Sequence, residues 1–284
     1  MKKKWLVVVS TVITLSLVLL GCAQRWTNDR QLDNKDSTQV RNDNQKSSDR
    51  DNEEISQEIE LSYTPEPVTA LETGKPEKGW EEQKAVPLDD VSGQGKALVR
   101  LYMRPGPDRE RRGEVHAFLE AGGETYDLGI VGSYGLHGVS VQTADKNGDG
   151  ARELVITGGM GAAYGEMKII GYDAGKKRWV KLLVMGTPYG GTGGVDLDGD
   201  GREELVAVSG GSLPGYVWIY RWNGDHFEKA DVAGATANLY ANIDRLDGTV
   251  WIEAGKPNEP HYYQYRNGRL LQIPRPSVAG VVGK

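Results

Sequence analysis

The chain has 284 residues, enough for one large domain or two small ones, with 38% hydrophobic and 26% charged residues and a formal net charge of −6. That apolar share is low for a chain packed around cores along its whole length, so part of it is expected outside the globular fold. One cysteine and four histidines exclude a disulfide scaffold and a Cys/His zinc protein.

Lys2, Lys3 and Lys4 form a basic n-region, and an apolar run follows from Trp5 to Leu20, broken only by Ser10, Thr11, Thr14 and Ser16. The run is short for a membrane span and fits a secretory h-region. It ends in Leu19-Leu20-Gly21-Cys22, which resembles the lipobox of bacterial lipoproteins. The resemblance implies a signal peptide over residues 1–21, lipidation of Cys22, and an extracytoplasmic protein held on a membrane by its acyl chains. An uncleaved anchor helix with an incidental cysteine is the alternative. Loss of residues 1–21 removes three lysines and no acid, leaving a charge of about −9, which argues against nucleic acid as a partner.

Residues 22–65 read as the lipidated cysteine and a disordered linker. Between 23 and 60 there are ten acids and six bases, and the few apolar residues keep no helical or strand period. Such a stretch cannot bury enough surface to offset its ordering entropy. Thr64-Pro65-Glu66-Pro67 marks its end, and residues 66–284 are expected to form the globular domain.

Glycine shows what kind of domain this is. Of 38 glycines, only Gly21, Gly74 and Gly79 precede residue 90. Glycine costs roughly 1 kcal/mol against alanine in a helix interior, so the density beyond that point favours short strands and turns. Two segments are nearly superimposable, residues 145–156 (DKNGDGARELVI) and 196–207 (DLDGDGREELVA). Each leads to a glycine pair and then to a strand-turn-strand pattern, turning at 173–175 and at Asn223-Gly224-Asp225. Weaker copies begin at Asp90 and Asp244, with hairpins over Glu114 to Leu128 and around Asn267-Gly268. The loop starts lie 55, 51 and 48 residues apart. Four units of about 50 residues, each with four short strands, are the size of propeller blades.

The pattern Asp-x-Asp/Asn-x-Asp-Gly-x-x-acid-Leu-Val resembles the FG-GAP/VCBS repeats of integrin α-subunit propellers and secreted bacterial proteins. The resemblance covers 145–183 and 196–230 well and the flanking copies loosely. It implies an all-β propeller with calcium loops between the first two strands of a blade. The family's Phe-Gly and Gly-Ala-Pro elements are not legible, and four units are fewer than seven blades. A ring of four or five blades is therefore expected, closed by a strand near Trp80–Val86 pairing with C-terminal strands. An open curved stack and ring completion by a second copy are the alternatives.

Calcium takes six to eight oxygen ligands, and loop positions 1, 3, 5, 7 and 9 can supply them. These are Asp145, Asn147, Asp149, Ala151 (through its carbonyl) and Glu153 in one loop. In the other they are Asp196, Asp198, Asp200, Arg202 (through its carbonyl) and Glu204. Two structural Ca2+ ions are expected. Without an ion, carboxylates about 5 Å apart repel by roughly 3 kcal/mol per pair at an effective dielectric near 20. An EF-hand is excluded because position 12 holds Ile156 and Ala207 and the following residues are strand-like. The loops at Asp90 and Asp244 lack ligands at position 3 or 5 and read as vestigial turns; metal-free Asp-Gly turns are the alternative for the two strong loops.

No Gly-x-Ser-x-Gly elbow, His-Glu-x-x-His pair or phosphate loop is present. His116, His226 and His261 fall in predicted strand pairs, Trp179, Trp218, Trp222 and Trp251 at core spacing, and Arg109 to Arg112 in a solvated insertion. Tyr134, His137, Tyr164 and Tyr189 lie in glycine-rich loops of the kind that build propeller binding surfaces. The leading expectation is a surface lipoprotein whose calcium-stabilised propeller binds a protein or glycan. A polysaccharide lyase or phosphoesterase on the same repeats, and an extracytoplasmic sensor or assembly subunit, are the alternatives.

Overall fold

Runs of Val, Ile, Leu and Tyr broken by Gly, Asn and Asp form strands here because branched and aromatic side chains suit a pleated, half-buried surface, while the breakers supply the turns. The computed structural model describes residues 57–104, 113–209, 214–246, 248–256 and 258–276. The expected signal peptide, Cys22, most of the linker and Arg109 to Arg112 lie outside the described residues. Among the described residues the fold is all-β, with one four-residue α-helix, α1 (Val232–Ala235), and one 3-10 turn at Tyr189–Gly191.

Three short strands come first: β1 (Glu58–Glu60), β2 (Tyr63–Pro65) and β3 (Thr69–Ala70). Four antiparallel meanders follow in chain order. Sheet 1 holds β4 (Glu81–Leu88), β5 (Ala97–Met103), β6 (Val115–Ala121) and β7 (Glu124–Gly132). Sheet 2 holds β8 (Ser140–Ala144), β9 (Glu153–Gly159), β10 (Gly165–Asp173) and β11 (Arg178–Gly186). Sheet 3 holds β12 (Gly194–Val195), β13 (Glu204–Val208), β14 (Val217–Trp222) and β15 (Phe227–Asp231). Sheet 4 holds β16 (Tyr240–Leu246), β17 (Thr249–Lys256), β18 (Glu259–Arg266) and β19 (Arg269–Ile273). All four predicted hairpins are present, as β6–β7, β10–β11, β14–β15 and β18–β19.

The sheets pack face to face in sequence. One core lies between sheets 1 and 2, with Val99, Leu101, Leu119, Leu154 and Ile156 among its buried residues. A second lies between sheets 2 and 3, around Val155, Met167, Ile169, Leu205 and Phe227. A third joins sheets 3 and 4 through Val206, Val217, Ile219, Ile252 and Tyr263. In β9, Leu154 and Ile156 face one neighbour and Val155 the other, so the strand reads as continuous apolar sequence because both faces are covered. Gly158 marks the closest approach: a Cβ there would lie 1.7 Å from the Val131 carbonyl oxygen of sheet 1.

Two expectations are corrected. The strand near Trp80–Val86 does not pair with C-terminal strands; it is β4, the first strand of sheet 1, and its partner is β5. The C-terminal strand β19 pairs instead with β1, Ile59 opposite Leu270. Residues 58–65, expected in the linker, therefore form β1 and β2, and β2 extends sheet 3 beside β15. The segment has too few apolar residues to order by itself, but the open edges of remote sheets supply its hydrogen bonds, which local composition does not reveal. β3 likewise extends sheet 2 beside β11, and Thr73 bridges to Tyr126 of sheet 1.

Candidate functional site

Antiparallel order fixes where the loops go. Within sheets 2 and 3, the loops between first and second strands share one end with the hairpins at 174–177 and 223–226. The loops between second and third strands lie at the other end, with the connections to the next sheet. The predicted calcium residues thus occupy one end, and the predicted ligand tyrosines and His137 the other.

In the loop of sheet 2, Asp145 accepts hydrogen bonds from the Gly148 N–H (2.7 Å) and the Gly150 N–H (3.0 Å). Asn147 Oδ1 accepts from the Asp149 N–H (3.0 Å), Asp149 from the Ala151 N–H (2.7 Å), and Glu153 from the Lys146 N–H (2.9 Å). The loop of sheet 3 repeats this bond for bond. Asp196 accepts from Gly199 (2.7 Å) and Gly201 (3.0 Å), Asp198 from Asp200 (3.2 Å), Asp200 from Arg202 (2.7 Å) and Glu204 from Leu197 (2.8 Å). Gly150 and Gly201 hold φ of +87° and +88°, which closes the loop and is strained for a residue with a Cβ.

The oxygens converge. One carboxylate oxygen each from Asp196, Asp198 and Glu204 lie within 4.8 Å of one another. In the other loop Asn147 stands where Asp198 does, and its amide donates to Asp149 (3.0 Å). Glu153 is 2% exposed, and its carboxyl is pushed up to about 7 by burial first and then by Asp149 and Asp145, against the Lys146 N–H bond. Glu204 is pushed up to about 7 in the same way, by burial, Asp198 and Asp200. A buried carboxyl beside two further acids is what a cation would relieve, and carboxylate and carbonyl oxygens are the donors that a hard ion takes. Each N–H bond leaves its oxygen a second lone pair for an ion. The triad in the loop of sheet 3 could hold a metal ion.

The flanking copies differ. Asp90 keeps one loop bond, from the Gly95 N–H (2.8 Å). Asp244 lies inside β16, opposite Trp251, so the fourth copy has shrunk to the turn around Gly248.

The strong loops line a cleft of about 930 Å³ with Tyr220, Trp222, Phe227 and Tyr265, and Lys146 reaches Glu203 across it at 3.8 Å. Sequence reasoning missed this cleft because its aromatic wall comes from hairpins remote in the chain. It also missed Lys168, a buried cation between sheets whose Nζ donates to the carbonyls of Leu128 (2.9 Å) and Ile130 (2.6 Å). The one signal for Lys168 was a lysine inside the apolar run Met167-Lys168-Ile169-Ile170.

At the other end, Tyr134 and His137 are exposed and Tyr189 is half-buried against the core of sheets 3 and 4. Tyr164 is exposed while its ring lies on Gly186, where a Cβ would meet ring carbon at 2.6 Å. Tyr164, Thr187 and Pro188 line a shallow cleft of about 480 Å³ that takes in Gly138 and Gly191, neighbours of His137 and Tyr189. The structure does not gather the four predicted residues into one pocket. Of the histidines, His116 lies in β6 and His261 in β18, while His226 sits in the turn before β15.

The chain matches no protein-family model and no curated protein. Among the described residues no helix is long and apolar enough to cross a membrane.

Proposed function

We propose that this chain is a membrane-anchored extracytoplasmic lipoprotein whose four sheets are the blades of a small calcium-stabilised propeller, open between its first and last blades, that serves as a binding module for a protein or glycan. The observation that carries the calcium part is the repeated oxygen cage of residues 196–204, with three carboxylate oxygens within 4.8 Å and a half-buried glutamate among them. The calcium would be structural: it would neutralise the loop acids and fix the crossover from first to second strand. The binding part rests on Tyr134 and Tyr164, large apolar side chains exposed at the opposite end of the sheets. Rings held by glycine-rich backbone present flat stacking surfaces at little entropic cost.

Thermal unfolding of the full chain with calcium and with chelator tests the metal. A higher midpoint with calcium is expected, with most of the gain lost in Asp198→Asn; an unchanged midpoint in both proteins would sink the calcium reading. Capture of partners from intact cells, compared with a glycan screen, tests the binding. Retention should fall in Tyr164→Ala and Tyr134→Ala, and equal retention by both variants would move the binding surface elsewhere.

A further inference from the structure

Residues 57–74 visit the outer edge of all four sheets in reverse order: β1 on β19, β2 on β15, β3 on β11, and Thr73 on β7. They also fill every seam between sheets. Leu61, 5% exposed, belongs to the core between sheets 3 and 4, with Ile59 and Tyr63 packed on it. Val68 packs on the core between sheets 2 and 3, and Leu71 on the core between sheets 1 and 2. Polar ties add to this. Glu66 pairs with Lys229 at 2.8 Å, the Tyr63 and Tyr265 hydroxyls lie 3.3 Å apart, and the Arg221 guanidinium lies 3.8 Å over the Tyr63 ring. The main chain is held along its length: the N–H groups of Leu61, Glu66, Leu71 and Gly74 donate to the carbonyls of Gly268, Phe227, Trp179 and Thr125 at 2.7–3.0 Å.

A linear stack in which each sheet touches only its neighbours loses its ends first and unfolds in stages. Strands of three, three and two residues hold little by themselves, so each strap segment depends on the seam beside it. We propose that residues 57–74 are a clamp that couples the four sheets into one cooperative unit, and that release of the clamp, beginning at the β1–β19 pair, is the route by which the domain opens. The segment upstream of Gln57 joins the clamp at β1. A pull or a cut there acts first on the edge of sheet 4 and on Leu61, and then on the seams in turn.

Native-state amide exchange on the full chain tests this. The strap amides of Leu61, Glu66, Leu71 and Gly74 are expected to exchange within about tenfold of the slowest amides of β9, β13 and β17, because a clamp opens only with the whole domain. Exchange about a hundredfold or more faster would show strap fraying independently of the sheets and would overturn the proposal. In Leu61→Asp, protection of Leu71 on sheet 2 and Gly74 on sheet 1 should fall together with that of sheet 4. Loss confined to sheet 4 would also overturn it, and where that variant does not fold, exchange in the unaltered chain decides.

Discussion

His116 shows how a single residue couples this fold to pH. Its ring lies 4.3 Å from that of Trp80, and both ring nitrogens are buried without a hydrogen-bond partner. Burial holds its pKa below the usual 6.5, outweighing the pull of Asp127 and Glu114. The fold therefore favours the neutral ring. Its contribution is complete above pH 6.5 and declines as pH falls from there towards the depressed folded pKa, where the unfolded chain binds the proton first. His116→Phe removes that dependence. The stability difference between variant and parent should be flat above about pH 7 and should shift in the variant's favour towards about pH 5; a difference that does not change with pH would refute the assignment. Lys168 makes a second residue-scale prediction. Lys168→Met leaves the carbonyls of Leu128 and Ile130 without their donor and should cost about 1–3 kcal/mol in denaturant unfolding. Gly158→Ala should cost at least as much, since its Cβ would meet a backbone oxygen of the neighbouring sheet rather than a side chain that could move.

At the scale of elements, the two strong acidic loops were legible because their chemistry is local. The acids and glycines that build each loop lie within nine consecutive residues, and the bond pattern recurs from one loop to the other. The hairpins at 174–177, 223–226 and 267–268 were legible for the same reason. The Asp90 loop offers a control. It keeps the Gly95 bond but has Ser92 and Gln94 at the ligand positions, so Asp90→Asn should leave the calcium-dependent rise in midpoint unchanged while Asp198→Asn removes most of it. An equal loss in the two variants would mean that the response does not come from the 196–204 cage. What the loops face was not legible. The cleft beside them takes Tyr220, Trp222 and Phe227 from the β14–β15 hairpin and Tyr265 from sheet 4, and no spacing in the sequence brings Tyr265 to the other three.

For the whole molecule, the sheets and the strap make one prediction of cooperativity. Trp179, Trp218, Trp222 and Trp251 lie in sheets 2, 3 and 4, so their fluorescence samples most of the stack. Denaturant unfolding followed by fluorescence and by far-ultraviolet dichroism should give coincident transitions. Separated transitions would show that the sheets melt piecemeal. The sequence by itself determined the strand-and-turn character, the hairpin positions and the acidic loops, because each depends on residues a few places apart: side-chain period, glycine at a positive φ, carboxylates along one turn. Only the tertiary structure decided that residues 58–65 are strands, that β1 rather than β4 meets the C-terminal strand, and that Lys168 spans two sheets. The physical reason is that a short polar strand is stabilised by an edge it borrows. Which edge stands free, and how close it comes, is set by how the four sheets stack and not by the strand's own residues.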